Sequence, residues 1–242
     1  METPWFPFVE GADRTAEVAF LMLPFAGGAA TAARDWQAKL GARFQVLAAE
    51  LPGRGTRLRE APLTEIEQVL EGLQPALELV RAGRPLAVFG HSFGAFLAFE
   101  LARRLDAPPI ACFVSGARAP DAPGREPALH QLDDDGLIAA LAELGGTPPE
   151  VLGDRDLMGL FLPALRADLR MAERFSMRAR PGLAIPLHVL GGERDRYAEP
   201  AAVGRWLEFA AGARSFRGFP GGHFFAFEDP DVVGHVVQQL RR

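Results

Sequence analysis

Gly90-His91-Ser92-Phe93-Gly94 sets a serine between two glycines in the pattern G-x-S-x-G. Three fixed letters in five recur by chance, so the neighbouring chain decides what the pattern means. An apolar run at 86–89 precedes it and an amphipathic stretch at 94–105 follows, which predicts a strand and a helix joined at the serine. In such a turn the serine backbone is strained and its hydroxyl stands above the sheet. Flanking glycines let neighbouring chains approach that corner, and the N-terminus of the following helix favours negative charge there. The chemistry this suits is nucleophilic attack on an acyl carbon, with Ser92 as candidate nucleophile.

A serine hydroxyl needs a base to take its proton. Five histidines compete. His91 adjoins Ser92 and is expected to face away. His130 falls in a segment without strand signals, where exposure is the simpler reading. His188 lies inside an apolar strand, and His235 in a C-terminal helix, where a surface position is expected. His223 alone sits in a glycine-rich loop after a late strand, Phe219-Pro220-Gly221-Gly222-His223. Such loops carry the functional groups of α/β sheets. The base must be oriented by an acid, and with this kind of turn the chain order is nucleophile, acid, histidine. Asp195 follows the strand at 185–190 and is the first choice, with Glu193 and Asp121 as rivals. Acyl transfer also needs oxyanion donors. The amide of Phe93 offers one, and Leu23-Pro24-Phe25-Ala26-Gly27-Gly28, after the first strand, offers a second from small residues.

These groups need a frame that gathers them. Apolar runs at 18–23, 44–49, 86–89, 110–114, 185–190 and 215–219 alternate with helical patterns at 32–40, 64–81, 94–105, 201–210 and 231–240. Continuous apolar strands alternating with helices predict a mostly parallel sheet covered on both faces. Thr64 and Glu67 form a capping-box pattern at the second helix. About seventy residues without a strand signal separate the fourth and fifth strands, far more than an ordinary connection. Within them a helix is predicted at 135–144, ending at Gly145-Gly146, and a longer one is capped by Asp154 with Pro163 as a kink. The expected architecture is one α/β domain over 1–242 with a helical lid inserted at approximately 118–180.

The 242 residues are 48% apolar and 24% charged, in the range of globular proteins. A net charge of -5 argues against a nucleic-acid partner. Lys39 is the only lysine, so nearly all positive charge is arginine. Cys112, the only cysteine, lies in an apolar run and reads as core; no C-x-x-C spacing suggests zinc, and no metal is expected. Residues 1–10 lack the layout of a signal peptide, and no apolar stretch is long enough to span a bilayer. A cytoplasmic location without membrane contact is expected.

Together these pieces resemble the type II thioesterases that accompany polyketide synthases and nonribosomal peptide synthetases, with the α/β-hydrolase fold. The resemblance runs over nearly the whole chain. Its markers are Pro24–Gly28, Leu51-Pro52-Gly53-Arg54-Gly55, Gly90–Gly94, Ser115-Gly116-Ala117-Arg118-Ala119-Pro120, Leu144-Gly145-Gly146-Thr147-Pro148-Pro149 and Gly221-Gly222-His223-Phe224-Phe225. It implies Ser92, Asp195 and His223 as the catalytic residues and the Ala26 and Phe93 amides as oxyanion donors. It also implies hydrolysis of acyl groups from the phosphopantetheine of an acyl or peptidyl carrier protein, no cofactor of the enzyme's own, and a monomer. Phe93 stands where relatives often have methionine, which bears on acyl chain length. Leu157, Met158, Phe161 and Met171 of the insertion are candidates to line the acyl channel, and Arg54, Arg57 and Arg59 to meet an acidic carrier. A general carboxylesterase or acyltransferase shares the same residues, and a non-catalytic carrier-protein binder would lack one of the three.

Overall fold

The computed structural model describes residues 3–9, 15–124, 127–177 and 182–241. Six strands form one sheet: β1 (Val18–Leu23), β2 (Phe44–Ala48), β3 (Leu86–His91), β4 (Ala111–Ser115), β5 (Leu187–Gly192) and β6 (Arg214–Phe219). Their order is β2-β1-β3-β4-β5-β6, and every neighbouring pair is parallel. All six apolar runs therefore become strands, with β5 two residues later than the run at 185–190. Parallel neighbours bring all the carboxyl ends to one rim.

Side chains alternate across the sheet and fill two cores. On one face, Leu21, Val88, Cys112 and Val189 pack under α2 (Ile66–Arg81), α3 (Phe93–Arg104) and the turn carrying Trp206 and Phe209. On the other, Phe20, Phe89 and Phe113 pack with Trp36 of α1 (Arg34–Leu40) and Val232 and Val236 of α9 (Asp231–Gln239). Burial pushes the Cys112 thiol up to about 12, consistent with a packing role. The outer strand β6 is largely exposed and carries Arg214 and Arg217, charges that discourage edge-to-edge pairing.

Several local expectations change. The stretches at 32–40 and 201–210 each divide, into a 3-10 turn at Ala30–Ala33 followed by α1, and into α7 (Pro200–Gly204) followed by a 3-10 turn at Arg205–Phe209. Glu65, not Thr64, is the residue before α2, and no side chain caps it. Starting there moves Glu67 off the third helical position, so the capping box does not form. His235 is buried in α9 against Phe219, with Arg217 at its Nδ1, rather than on the surface. Lys39 is exposed at the last turn of α1, just before β2 begins, on the side of the sheet opposite the rim.

Between β4 and β5 lies the helical insertion: α4 (Asp134–Leu144), α5 (Pro149–Gly153) and α6 (Arg155–Arg174). Asp133 and Asp154 cap α4 and α6, accepting from the amides of Gly136 and Leu157. Leu137, Met158, Leu162, Leu165 and Leu169 form a third, smaller core inside it. Helix α6 runs continuously through Pro163. The expected end of the insertion, Arg180, lies outside the described residues, as do parts of the 1–10 segment. Among the described residues no helix is long and apolar enough to cross a membrane.

Candidate active site

Ser92 links β3 to α3 at φ 53° and ψ -118°. A Cβ on Gly90 would stand 1.9 Å from the Gly94 carbonyl oxygen, and one on Gly94 2.3 Å from that of Leu23. Both glycines of the pattern are therefore demanded by backbone contact. The Ser92 amide donates to the Ser115 carbonyl at 2.8 Å, fixing the turn to the end of β4.

Two further loops of the rim meet the serine. The loop after β6 brings His223 Nε2 to 3.0 Å from Ser92 Oγ. The loop after β5 brings Asp195 Oδ2 to 2.8 Å from His223 Nδ1. Asp195 Oδ1 accepts from the amides of Tyr197 and Ala198 at 2.8 and 2.9 Å, so both oxygens are held. The two loops are themselves joined, since the Glu193 amide donates to Phe219 O and the Arg194 amide to Gly221 O. A Cβ on Gly192 would meet the Gly222 carbonyl at 2.4 Å, which is why β5 ends in glycine. Asp195 and His223 are buried, while Ser92 is partly open. Of the rival acids, Glu193 is exposed and Asp121 pairs with Arg205 at 2.7 Å.

His91 does not simply face away. It is buried behind His223, with ring centroids 5.2 Å apart, and its Nδ1 lies 3.0 Å from Ser115 Oγ. Burial first, and the neighbouring His223 second, hold its pKa well below the ordinary 6.5, so the ring is neutral. His188 stacks on Phe113 and meets Ser215 Oγ at 2.8 Å, the core histidine expected. His130 is not solvated: its Nδ1 lies 2.5 Å from Glu173 Oε2, and Glu173 also accepts the amides of Leu129 and His130.

Two cavities flank the Ser92–His223 contact. One, about 200 Å³, opens beside Ala26, Ser92 and Phe93. Its wall from the insertion includes Leu169, Ala172 and Glu173 of α6, together with Arg118, Pro123 and Gly124 from the start of the insertion. Leu157, Met158, Phe161 and Met171 are not part of that wall. Met158 belongs to the insertion's own core, Met171 to the main core, and Phe161 is exposed. The second, about 520 Å³, lies beside Asp195 and His223 and is bordered by Leu144, Arg194 and Arg196. Arg54 and Arg57 are buried, not surface charges. Arg54 pairs with Asp168, and Arg57 pairs with Glu60 and lies 4.5 Å from the Trp5 ring centroid. Arg59 alone of the three is exposed. Among the described residues no group of His, Cys, Asp or Glu is arranged to hold a metal.

Comparison with known proteins adds the family. Residues 19–242 match the thioesterase domain model. The thioesterase PikA5 of Streptomyces venezuelae is 38% identical over 213 residues, covering 86% of this chain and 75% of that protein. Among solved structures, the thioesterase RedJ from the prodiginine pathway of Streptomyces coelicolor superposes with a TM-score of 0.86 at 36% identity, covering 97% of this chain and 98% of RedJ. YbtT, the type II thioesterase from the yersiniabactin NRPS/PKS pathway, does so with a TM-score of 0.83 at 32% identity, covering 96% and 95%. With an α/β-hydrolase sheet, a serine at its central turn and relatives matched nearly end to end, the chain belongs to the thioesterase family, as a type II thioesterase of polyketide and nonribosomal peptide pathways.

Proposed function

We propose that this thioesterase hydrolyses acyl groups from the phosphopantetheine thiol of a carrier protein, with Ser92, His223 and Asp195 as its catalytic residues. Ser92 Oγ attacks the thioester carbonyl as His223 Nε2 takes its proton. The amides of Ala26 and Phe93 hold the oxyanion; Phe93 opens α3, where an amide has no intrahelical acceptor. Collapse expels the thiolate, which takes the proton from His223. Water then attacks the acyl-serine, giving its proton to His223. Breakdown returns that proton to Ser92 and releases the carboxylic acid. Asp195 keeps the proton on Nδ1 and stabilises the imidazolium.

The observation that carries this reading is the continuous hydrogen-bonded path Ser92–His223–Asp195, at 3.0 and 2.8 Å. The smaller cavity beside Ala26 and Phe93 suits the acyl group, and the larger one beside His223 suits the pantetheine arm. The insertion, at approximately 118–180 of a single domain, acts as a lid: its Leu169 and Ala172 border the first cavity and its Ala140 and Leu144 the second. Carrier-bound substrates correspond to work in the cytoplasm. The test is turnover of acyl-carrier thioesters against oxygen esters of the same acyl group, with Ser92→Ala alongside. Thioesters are expected to be preferred and Ser92→Ala to be inactive yet folded. Retained turnover in Ser92→Ala would refute the nucleophile, and equal turnover of oxygen esters would refute the substrate class.

A further inference from the structure

The Leu51–Gly55 segment has no part in the chemistry above, yet Arg54 is 3% exposed and reaches a carboxylate 114 residues away. That partner, Asp168, lies on α6 and is 0% exposed. Arg54 NH2 donates to Asp168 Oδ1 at 3.0 Å and NH1 to Oδ2, a two-pronged pairing. NH2 and Nε of Arg54 also donate to the Pro52 carbonyl, anchoring the guanidinium to its own loop. The remaining capacity of Asp168 Oδ2 goes to one group, the amide of Gly27, at 2.8 Å.

Gly27 follows Ala26, whose amide is the oxyanion donor in the function proposed above. Its φ is +74°, and a Cβ there would stand 3.2 Å from Leu165 Cδ1, one turn before Asp168 on α6. The helix thus grips the loop twice, by packing and by a charged acceptor. Leu169, directly after Asp168, and Ala172 and Glu173, one turn further, wall the cavity beside Ser92.

We infer that Asp168 is a positioning residue for the oxyanion loop: it holds the Gly27 amide, and Arg54 holds Asp168, so a helix of the insertion sets the Ala26 amide beside Ser92. The inference rests on the catalytic reading above. A fixed donor matters because an oxyanion hole acts only where its amides are already aimed at the developing charge. A buried carboxylate paired on both oxygens is rigid enough to supply that aim. Helix α6 is then fixed to the rim at Asp168.

Removing Asp168 alone strands a buried arginine, a loss of stability that would obscure the result. The informative variant is Arg54→Met with Asp168→Leu, which replaces the pair by apolar groups of similar size and commonly keeps the fold. In that double variant kcat on an acyl-pantetheine thioester is expected to fall roughly 10- to 100-fold, with KM within about 2-fold, as for a misplaced oxyanion donor. Affinity for a boronic acid, whose tetrahedral adduct mimics the oxyanion, should fall by a similar factor. The acid limb of the pH profile should stay in place, because His223 and Asp195 are untouched. Wild-type kcat and boronate affinity in the folded double variant would show the pair to be structural only and overturn the inference. A shifted acid limb would overturn it too, by locating the damage at His223. If that double variant does not fold, Arg54→Leu with Asp168→Met, a different apolar filling of the same space, carries the test: the Gly27 amide again loses its acceptor, and wild-type kcat and boronate affinity would again refute the inference. Ser92→Ala, measured in parallel, separates this failure from failure of the nucleophile assignment.

Discussion

Ser92 and Ala82 are the two non-glycine residues with positive φ among the described residues, and only Ser92 lies at the rim. A side chain held there costs about 1–3 kcal/mol, because Cβ crowds the backbone. Glycine relieves that strain but restores backbone freedom to the unfolded chain, about 0.5–1 kcal/mol against it. Ser92→Gly should therefore be more stable than Ser92→Ala by about 1 kcal/mol, read as a higher urea midpoint at unchanged slope. At this scale the sequence was most legible where a residue's place relative to a strand end decides its position. Ser92, Asp195 and His223 each follow a strand, and the parallel sheet brings the three together. The pairing of Arg54 with Asp168 was invisible, because nothing in one sequence joins a loop to a helix 114 residues on. His235 carried an overlooked signal: it lies three residues after buried Val232 and beside buried Val236, on the apolar face of its helix.

Elements came through as existence and type more than as limits. Apolar runs gave the strands because both sheet faces are covered, and such strands need no alternation. Helix rotation was the harder quantity. Helix α6 buries residues toward its own small core, toward the main core and toward the cavity, so its apolar positions do not say which of them meets substrate. That is why Leu157, Met158, Phe161 and Met171, apolar positions of the same helix, do not border the cavity that Leu169 and Ala172 border. The caps were legible where the acceptor immediately precedes the pattern. Asp154 accepts the Leu157 amide at 2.9 Å, whereas Thr64 stands one residue too early for its helix. Loss of the cap in Asp154→Ala should cost about 1 kcal/mol. Hydrogen exchange is expected to quicken at the amides of the first turn of α6, with β3 and β4 unaffected.

For the whole molecule, stability should depend on pH through His91. The fold keeps this ring neutral well below its ordinary value of 6.5, whereas the unfolded chain protonates it near that value. Its contribution is therefore fully present above about pH 6.5 and lost as pH falls toward the lower folded value. Denaturation from about pH 7 to about pH 5 should show His91→Asn losing stability less steeply than wild type, by up to about 1.4 kcal/mol per pH unit. An equal slope in the two proteins would assign the acid sensitivity to other groups.

Positive charge carried almost wholly by arginine has a practical consequence. Lys39, at the end of α1 away from the rim, is the only lysine side chain. A dye or surface coupled through the lysine side chain would sit at that one place, leaving the cleft pointed outward. Molecules tethered through that side chain share one orientation, with the mouths of both cavities left open.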